Sequence, residues 1–284
     1  MECLANVRAI LGEGPCWVAR NDSLLWVDIN TPVVFQWSEA GGTHMHALGE
    51  KICSIVPRAA GGYIGAGYDG LVMLSDDFTI TQFGNPEEHL AGNRFNDGKI
   101  DRDGRFWAGT MDHAEQKDSG TLYRIDPDLS WTAIDTGYRV TNGPAFSVDG
   151  RTMYHTDSAI QRVYAFDLDA QGKATNRRLF LQFTPDMGYP DGMTVDAEDC
   201  LWIAFWNGWC VRRFAPDGSL LAEVPVPVQK PTSVAFGGPL MDRIFITSAA
   251  RDLSQADLAS QPEAGGMFAF APGVKGIAEL PFAG

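Results

Sequence analysis

Six short strands with an aromatic residue at their centre recur along this chain at a nearly constant interval. No other feature constrains the fold as strongly. Trp26, Tyr63, Trp107, Tyr154, Trp202 and Phe245 each lie in a β-rich run, spaced on average about 44 residues apart. Each run is followed by a turn and a second strand: Leu24–Asp28 by Val33–Trp37, Arg105–Gly109 by Gly120–Arg124, Leu201–Ala204 by Cys210–Phe214. Helical periodicity is nearly absent, and Gly, Asp and Asn punctuate the runs. A period of ~40–50 residues with several strands per unit marks a β-propeller blade, so the chain is predicted to be all-β, a six-bladed β-propeller. A β-sandwich or a pair of open barrels would account for the strands but not for the six-fold spacing. Residues 1–284 are then one domain. An N-terminal strand near Ala5–Leu11 is expected to pair into the last blade, closing the ring and removing exposed sheet edges. Arg251–Glu263 interrupts that blade, and Ser254–Ala259 is expected to form one or two helical turns at the surface.

Composition agrees with this rhythm. The chain has 31 glycines for turns, and 16 Phe, 8 Trp and 7 Tyr to pack blades. A hydrophobic fraction of 45% excludes a disordered chain, and a net charge of −14 repels phosphate backbones, so no nucleic-acid partner is expected. No apolar run approaches the ~20 residues of a membrane helix, so no membrane partner is expected. Met1–Asn6 has no basic segment before an apolar core, so no secretory signal is expected. The five cysteines, Cys3, Cys16, Cys53, Cys200 and Cys210, are odd in number and form no CxxC pair. They read as reduced, buried thiols in a cytoplasmic protein, although a Cys200–Cys210 bridge across a hairpin is conceivable. A monomer or weak homo-oligomer is expected.

In a propeller the first strand of each blade lines the central channel, so equivalent positions converge on the axis. The segments that open the blades are Gly12-Glu13-Gly14-Pro15, Arg94-Phe95-Asn96-Asp97-Gly98, Thr141-Asn142-Gly143-Pro144, Pro190-Asp191-Gly192-Met193 and Lys230-Pro231-Thr232-Ser233. Four of them place an acid or amide directly before a glycine. Asn-Gly and Asp-Gly are also ordinary turn dipeptides. Glu13-Gly14-Pro15 is not, and converging carboxylates repel each other unless a cation sits among them. A single divalent metal ion held by Glu13, Asn142 and Asp191 in the central channel is therefore expected. Such an all-oxygen set favours Ca²⁺, Mg²⁺, Mn²⁺ or Fe²⁺ and tolerates Zn²⁺. Three protein ligands leave positions open for water and substrate.

These segments, with Asn93–Lys99 as a whole and Trp107-Ala108-Gly109-Thr110-Met111, resemble the SMP-30/gluconolactonase/regucalcin family, in the family's order from about Leu11 to Phe270. The resemblance implies a six-bladed propeller with one divalent metal, and hydrolysis of a small-molecule sugar lactone, aldono- or aldarolactone, to the sugar acid. It implies metal binding at Glu13, Asn142 and Asp191 and substrate contact by Arg94 and Asn96. A family acid after the Gly-Thr-Met segment is not clearly matched. Asp112 and His113 are taken as substrate contacts, with Glu115 as the third candidate. Tyr154–Ser158 and Gly265–Ala269 are more similar to bacterial sugar lactonases than to animal regucalcin.

In the expected mechanism the metal polarises the lactone carbonyl, and Asp191 serves as general base and then acid. Arg94 anchors hydroxyls or a carboxylate through its planar fork, and Asn96 bonds a ring hydroxyl. Asp97 either reaches the metal through water or holds Arg94. Trp206, Trp209 and Tyr189 are candidates for the rim of the mouth, His44 and His46 for an outer strand, and His155 for packing. No Gly-x-Ser-x-Gly elbow occurs. Two other classes remain: a paraoxonase-like esterase, and a non-catalytic calcium-binding propeller.

Overall fold

The computed structural model describes residues 1–284, and its strands assemble into six antiparallel four-stranded sheets. Written from the axis outward, blade one is Gly12–Val18, Ser23–Asp28, Val33–Ser38 and Gly42–Ala47. Blade two is Ile52–Pro57, Tyr63–Gly67, Leu71–Leu74 and Ile80–Gly84. Blade three is Asn93–Ile100, Phe106–Asp112, Gly120–Ile125 and Trp131–Tyr138, and blade four is Thr141–Phe146, Thr152–Asp157, Arg162–Leu168 and Ala174–Gln182. Blade five is Tyr189–Val195, Leu201–Trp206, Cys210–Phe214 and Leu220–Pro225. Blade six takes Pro231–Gly237, Arg243–Ser248 and Met267–Phe270 from the end of the chain and Glu2–Ala5 from its start. The architecture is the six-bladed β-propeller read from the spacing.

Inner strands are buried almost throughout, whereas the outermost strands face water: all of Gly42–Ala47 except His46 is exposed. The repeat aromatics fill the seams. Trp107 of blade three meets Phe146 of blade four at 5.7 Å, and Trp202 of blade five meets Phe236 of blade six at 6.4 Å. Both indoles also donate to a buried carboxylate, Trp107 Nε1 to Asp101 and Trp202 Nε1 to Asp196, each at 2.8 Å.

The closing strand is Glu2–Ala5, not Ala5–Leu11, and pairs with Met267–Phe270. Asn6–Leu11 instead forms the connector to the innermost strand of blade one. Arg8 takes a left-handed conformation (φ 55°), Ala9 N–H donates to Gly265 O, and the amides of Ile10 and Leu11 both donate to the Asp28 carboxylate. With its amides committed there, the segment has no ladder to join. The predicted helical turns appear as Gln255–Ser260, opened by a capping box between Ser254 and Asp257. All five cysteines are free. Phe205 pairs with Cys210 and Leu201 with Phe214, so Cys200 and Cys210 stand at opposite ends of their hairpin.

After blade six the chain crosses the face away from the blade-opening segments. Gly276 N–H donates to Met241 O below blade six, and Ala197 N–H of blade five donates to Lys275 O. Farther on, Phe282 N–H donates to Pro57 O of blade two and Ala283 N–H to Gly104 O of blade three. In a ring of six, blades five and six stand opposite blades two and three. Residues 275–283 therefore form a strap across the floor of the channel, anchored by Phe282, which is fully buried.

Candidate active site

All six inner strands break register near the channel mouth: between Glu13 and Cys16, Ile52 and Ser54, Phe95 and Gly98, Asn142 and Ala145, Pro190 and Met193, and Pro231 and Ser233. An extra residue bends a strand and re-aims its side chains. This is what turns Glu13, Asn96, Asn142 and Asp191 toward one space. The glycines after them have specific reasons to be glycine. Gly143 sits at φ +82°, and a Cβ on Gly192 would lie 2.1 Å from Ser233 Oγ.

The space is a cavity of about 540 Å³ at the mouth. Glu13, Asn142, Asp191, Arg94 and Asn96 all line it, so five of the seven residues proposed from sequence are brought together. Of the three acids and bases after Gly-Thr-Met, Glu115 lines the cavity, while Asp112 and His113 do not. The Asp112 carboxylate is turned inward and accepts from the amides of Gln116 and Lys117, which it holds in a tight loop. That loop carries Glu115 over the mouth. His113 is exposed and shares a 2.6 Å hydrogen bond between its Nδ1 and the Tyr68 hydroxyl; the Arg94 guanidinium lies 5.6 Å from the Tyr68 ring. Tyr189 and Trp206 also line the cavity; Trp209 is exposed outside it. His44 and His46 lie on the outermost strand of blade one. His155 is buried edge-on against Tyr138, away from the cavity.

A chain of hydrogen bonds joins three blades around the axis. Arg94 Nη1 donates to Asn96 Oδ1 at 2.8 Å, Asn96 Nδ2 to Asn142 Oδ1 at 3.1 Å, and Asn142 Nδ2 to Ser158 Oγ at 2.8 Å. Ser158 Oγ in turn donates to Pro190 O at 2.6 Å, beside Asp191. Each amide is thereby fixed in one orientation. Ser158, unremarkable in the sequence, is the residue that orients Asn142.

The electrostatics at the floor of the cavity are unfavourable as they stand. Burial, then the Asp97 charge, pushes the Glu13 carboxyl up to about 8. Burial, then Glu13 and Asp97, holds Asp191 well above the usual carboxylate range. Burial raises Asp97 too, although it accepts from the Gly98 and Gly143 amides at 2.7 and 2.9 Å. Lys99, beneath them, donates to Pro15 O and does not reverse the balance. Two buried carboxylates and an amide oxygen form a hard donor set that Lys99 and Arg94 leave under-compensated, which fits a hard divalent cation. No cluster of three His, Cys, Asp or Glu residues exists, so any such ion would need the Asn142 amide as its third protein ligand.

Comparison with known proteins places the chain in a family. A family model described as SMP-30/Gluconolactonase/LRE-like region matches residues 11–250. Regucalcin from Xenopus laevis is 36% identical over 294 residues, covering 100% of this chain and 98% of that one. A 6-deoxy-6-sulfogluconolactonase from Pseudomonas putida is 34% identical over 293 residues, covering 100% and 99%. Among solved structures, a calcium-binding regucalcin from Agrobacterium tumefaciens superposes with a TM-score of 0.94 at 28% identity, covering 99% of this chain and 96% of that one. The chain belongs to the SMP-30/gluconolactonase/LRE-like family.

Proposed function

We propose that this protein is a divalent-metal-dependent sugar lactonase. The observation that carries the reading is the buried Glu13 and Asp191 pair, both raised by burial, Glu13 further by Asp97 and Asp191 further by Glu13 and Asp97, on one cavity with Asn142, Arg94 and Asn96. The family, and a relative named for lactone hydrolysis, support it. Glu13, Asn142 and Asp191 would hold the divalent ion, which would supply Lewis-acid polarisation of the lactone carbonyl. Arg94 and Asn96 hold the ring hydroxyls; the Arg94 fork retains donors beyond the two bonds that Nη1 makes within the protein. Asp191 takes a proton from the attacking water and returns it to the ring oxygen as the acyl C–O bond breaks. Tyr189 and Trp206 offer flat apolar faces to the sugar.

The test is to strip the protein with chelator, refill it with single divalent ions, and follow acid release from a panel of aldono- and aldarolactones. Ring opening well above the spontaneous rate, lost on stripping and restored by an ion, is expected. Opening no faster than the spontaneous rate with every ion overturns the reading. A calcium-binding propeller without activity would need Arg94 and Asn96 only to hold Asn142, and would leave the remaining Arg94 donors on the cavity wall without a ligand.

A further inference from the structure

Of the three cations in this cavity that the proposed chemistry does not use, Arg139, Lys230 and Arg251, Lys230 alone makes no ion pair. It precedes the innermost strand of blade six, is only 5% exposed, and lines the cavity. Its ammonium donates to Arg251 O at 2.5 Å and lies 4.6 Å from the centre of the Trp206 ring. It has no ion pair, whereas Arg139 and Arg251 are paired, to Asp118 and to Glu115 and Asp252. An ammonium carries three N–H donors, and one carbonyl satisfies one of them. Asp252 and Asp257 act on the Lys230 ammonium only from beyond ion-pair distance; a buried cation without a paired counter-ion is costly, and the cost is recovered when an anion docks.

The surroundings sharpen this. Glu13, Glu115, Asp191 and Asp252 line the cavity together with Arg94, Arg139, Lys230 and Arg251, so its charged side chains balance although the whole chain carries −14. Blade three, which presents Arg94 and Asn96, stands opposite blade six, which presents Lys230, with Glu13, Asn142 and Asp191 between them. A sugar held at one end by Arg94 and Asn96 directs its far end toward Lys230.

We propose that Lys230, seated on Trp206, is the anion-recognising residue that selects lactones carrying an acidic group, carboxylate or sulfonate, on the carbon remote from the lactone carbonyl. The proposal rests on the lactonase reading for the identity of the ligand, but not for the existence of the anion site. Its test has two arms. In the kinetic arm, kcat/KM is measured for neutral gluconolactone, for a glucarolactone bearing a carboxylate, and for a 6-sulfonated gluconolactone. The wild type is expected to favour the acidic lactones at least tenfold; which of them it favours distinguishes carboxylate from sulfonate. K230Q is expected to shrink that ratio tenfold or more, and K230R to restore part of it. In the binding arm, calorimetry compares glucarate with gluconate. The diacid is expected to bind wild type at least tenfold more tightly, and K230Q to close the gap. Lactone opening without acidic preference, or a ratio and a binding gap untouched by K230Q, overturns the proposal. A binding gap closed by K230Q with no lactone opened would leave the anion site standing and overturn the lactonase reading instead.

Discussion

Two sets of buried carboxylates in this propeller have opposite surroundings. Asp101 and Asp196 occupy matching places in blades three and five, at the ends of the inner strands. Asp196 accepts from Arg213 Nε, Trp202 Nε1 and the amides of Glu198 and Cys200; Asp101 accepts from Arg105 Nε, Trp107 Nε1 and the amides of Asp103 and Arg105. Glu13 and Asp191, at the other end of the channel, have little of this. Glu13 accepts one amide at 3.1 Å, from Gly14, and the Gly192 amide is what opposes the raising of Asp191. Burial alone does not mark a functional acid. A carboxylate surrounded by donors holds the fold together, whereas one surrounded by other carboxylates awaits something from outside.

The comparison can be broken at its extremes. D191N should lower kcat by about a thousandfold, the scale of a lost general base, without lowering the melting temperature of the metal-free protein, because it removes a repelling charge. A variant that melts early, or turns over normally, would put Asp191 in the other set. D196N should do the reverse. Removing one partner from its buried ion pair with Arg213 should cost about 3 kcal/mol in chemical denaturation while the folded fraction keeps its turnover. Loss of turnover with unchanged stability would erase the distinction.

A smaller effect concerns pH. Glu13 holds its proton more tightly in the metal-free fold, to about 8, than in an unfolded chain, where it ionises near 4.5. The folded state then binds more protons between those values, so the stripped protein should lose stability as pH rises through about 4.5 to 8 and keep it below that window. A divalent ion at about a hundred times its Kd adds about 2.7 kcal/mol by mass action. The rise in melting temperature should be larger at pH 8 than at pH 5, since at pH 5 a proton occupies the donor. An equal rise at both would separate ion binding from Glu13.

Much of this was legible in the sequence. The aromatic interval exposed the blades because each must fill the same seam with a large side chain, as Trp107 and Trp202 do. The acid or amide before glycine exposed four of the channel bulges because the bend there leaves no room for a Cβ, as at Gly192. What escaped depended on contacts distant in sequence. Lys230 reads as an ordinary charge before a proline until Trp206 and Arg251 fold against it. Ser158 is one serine among many until it meets the Asn142 amide. Glu115 could not be chosen over Asp112 and His113, because the choice rests on which of them caps its own loop. The closing strand shifted from Ala5–Leu11 to Glu2–Ala5 because the Asp28 carboxylate, in the next blade, claims the amides of Ile10 and Leu11.

The strap of residues 275–283 has a consequence for traffic. It crosses the floor of the channel to Phe282, which is buried in the core of blades two and three, and leaves beside Glu279 a crevice of only about 10 Å³, scarcely room for a single water. Whatever enters at the mouth must return by the mouth. Under the proposed function, each turnover would be a visit to a dead-end alley: the opened acid would have to back out past Lys230 and Arg251 before the next lactone arrived, and the two would compete for the same doorway.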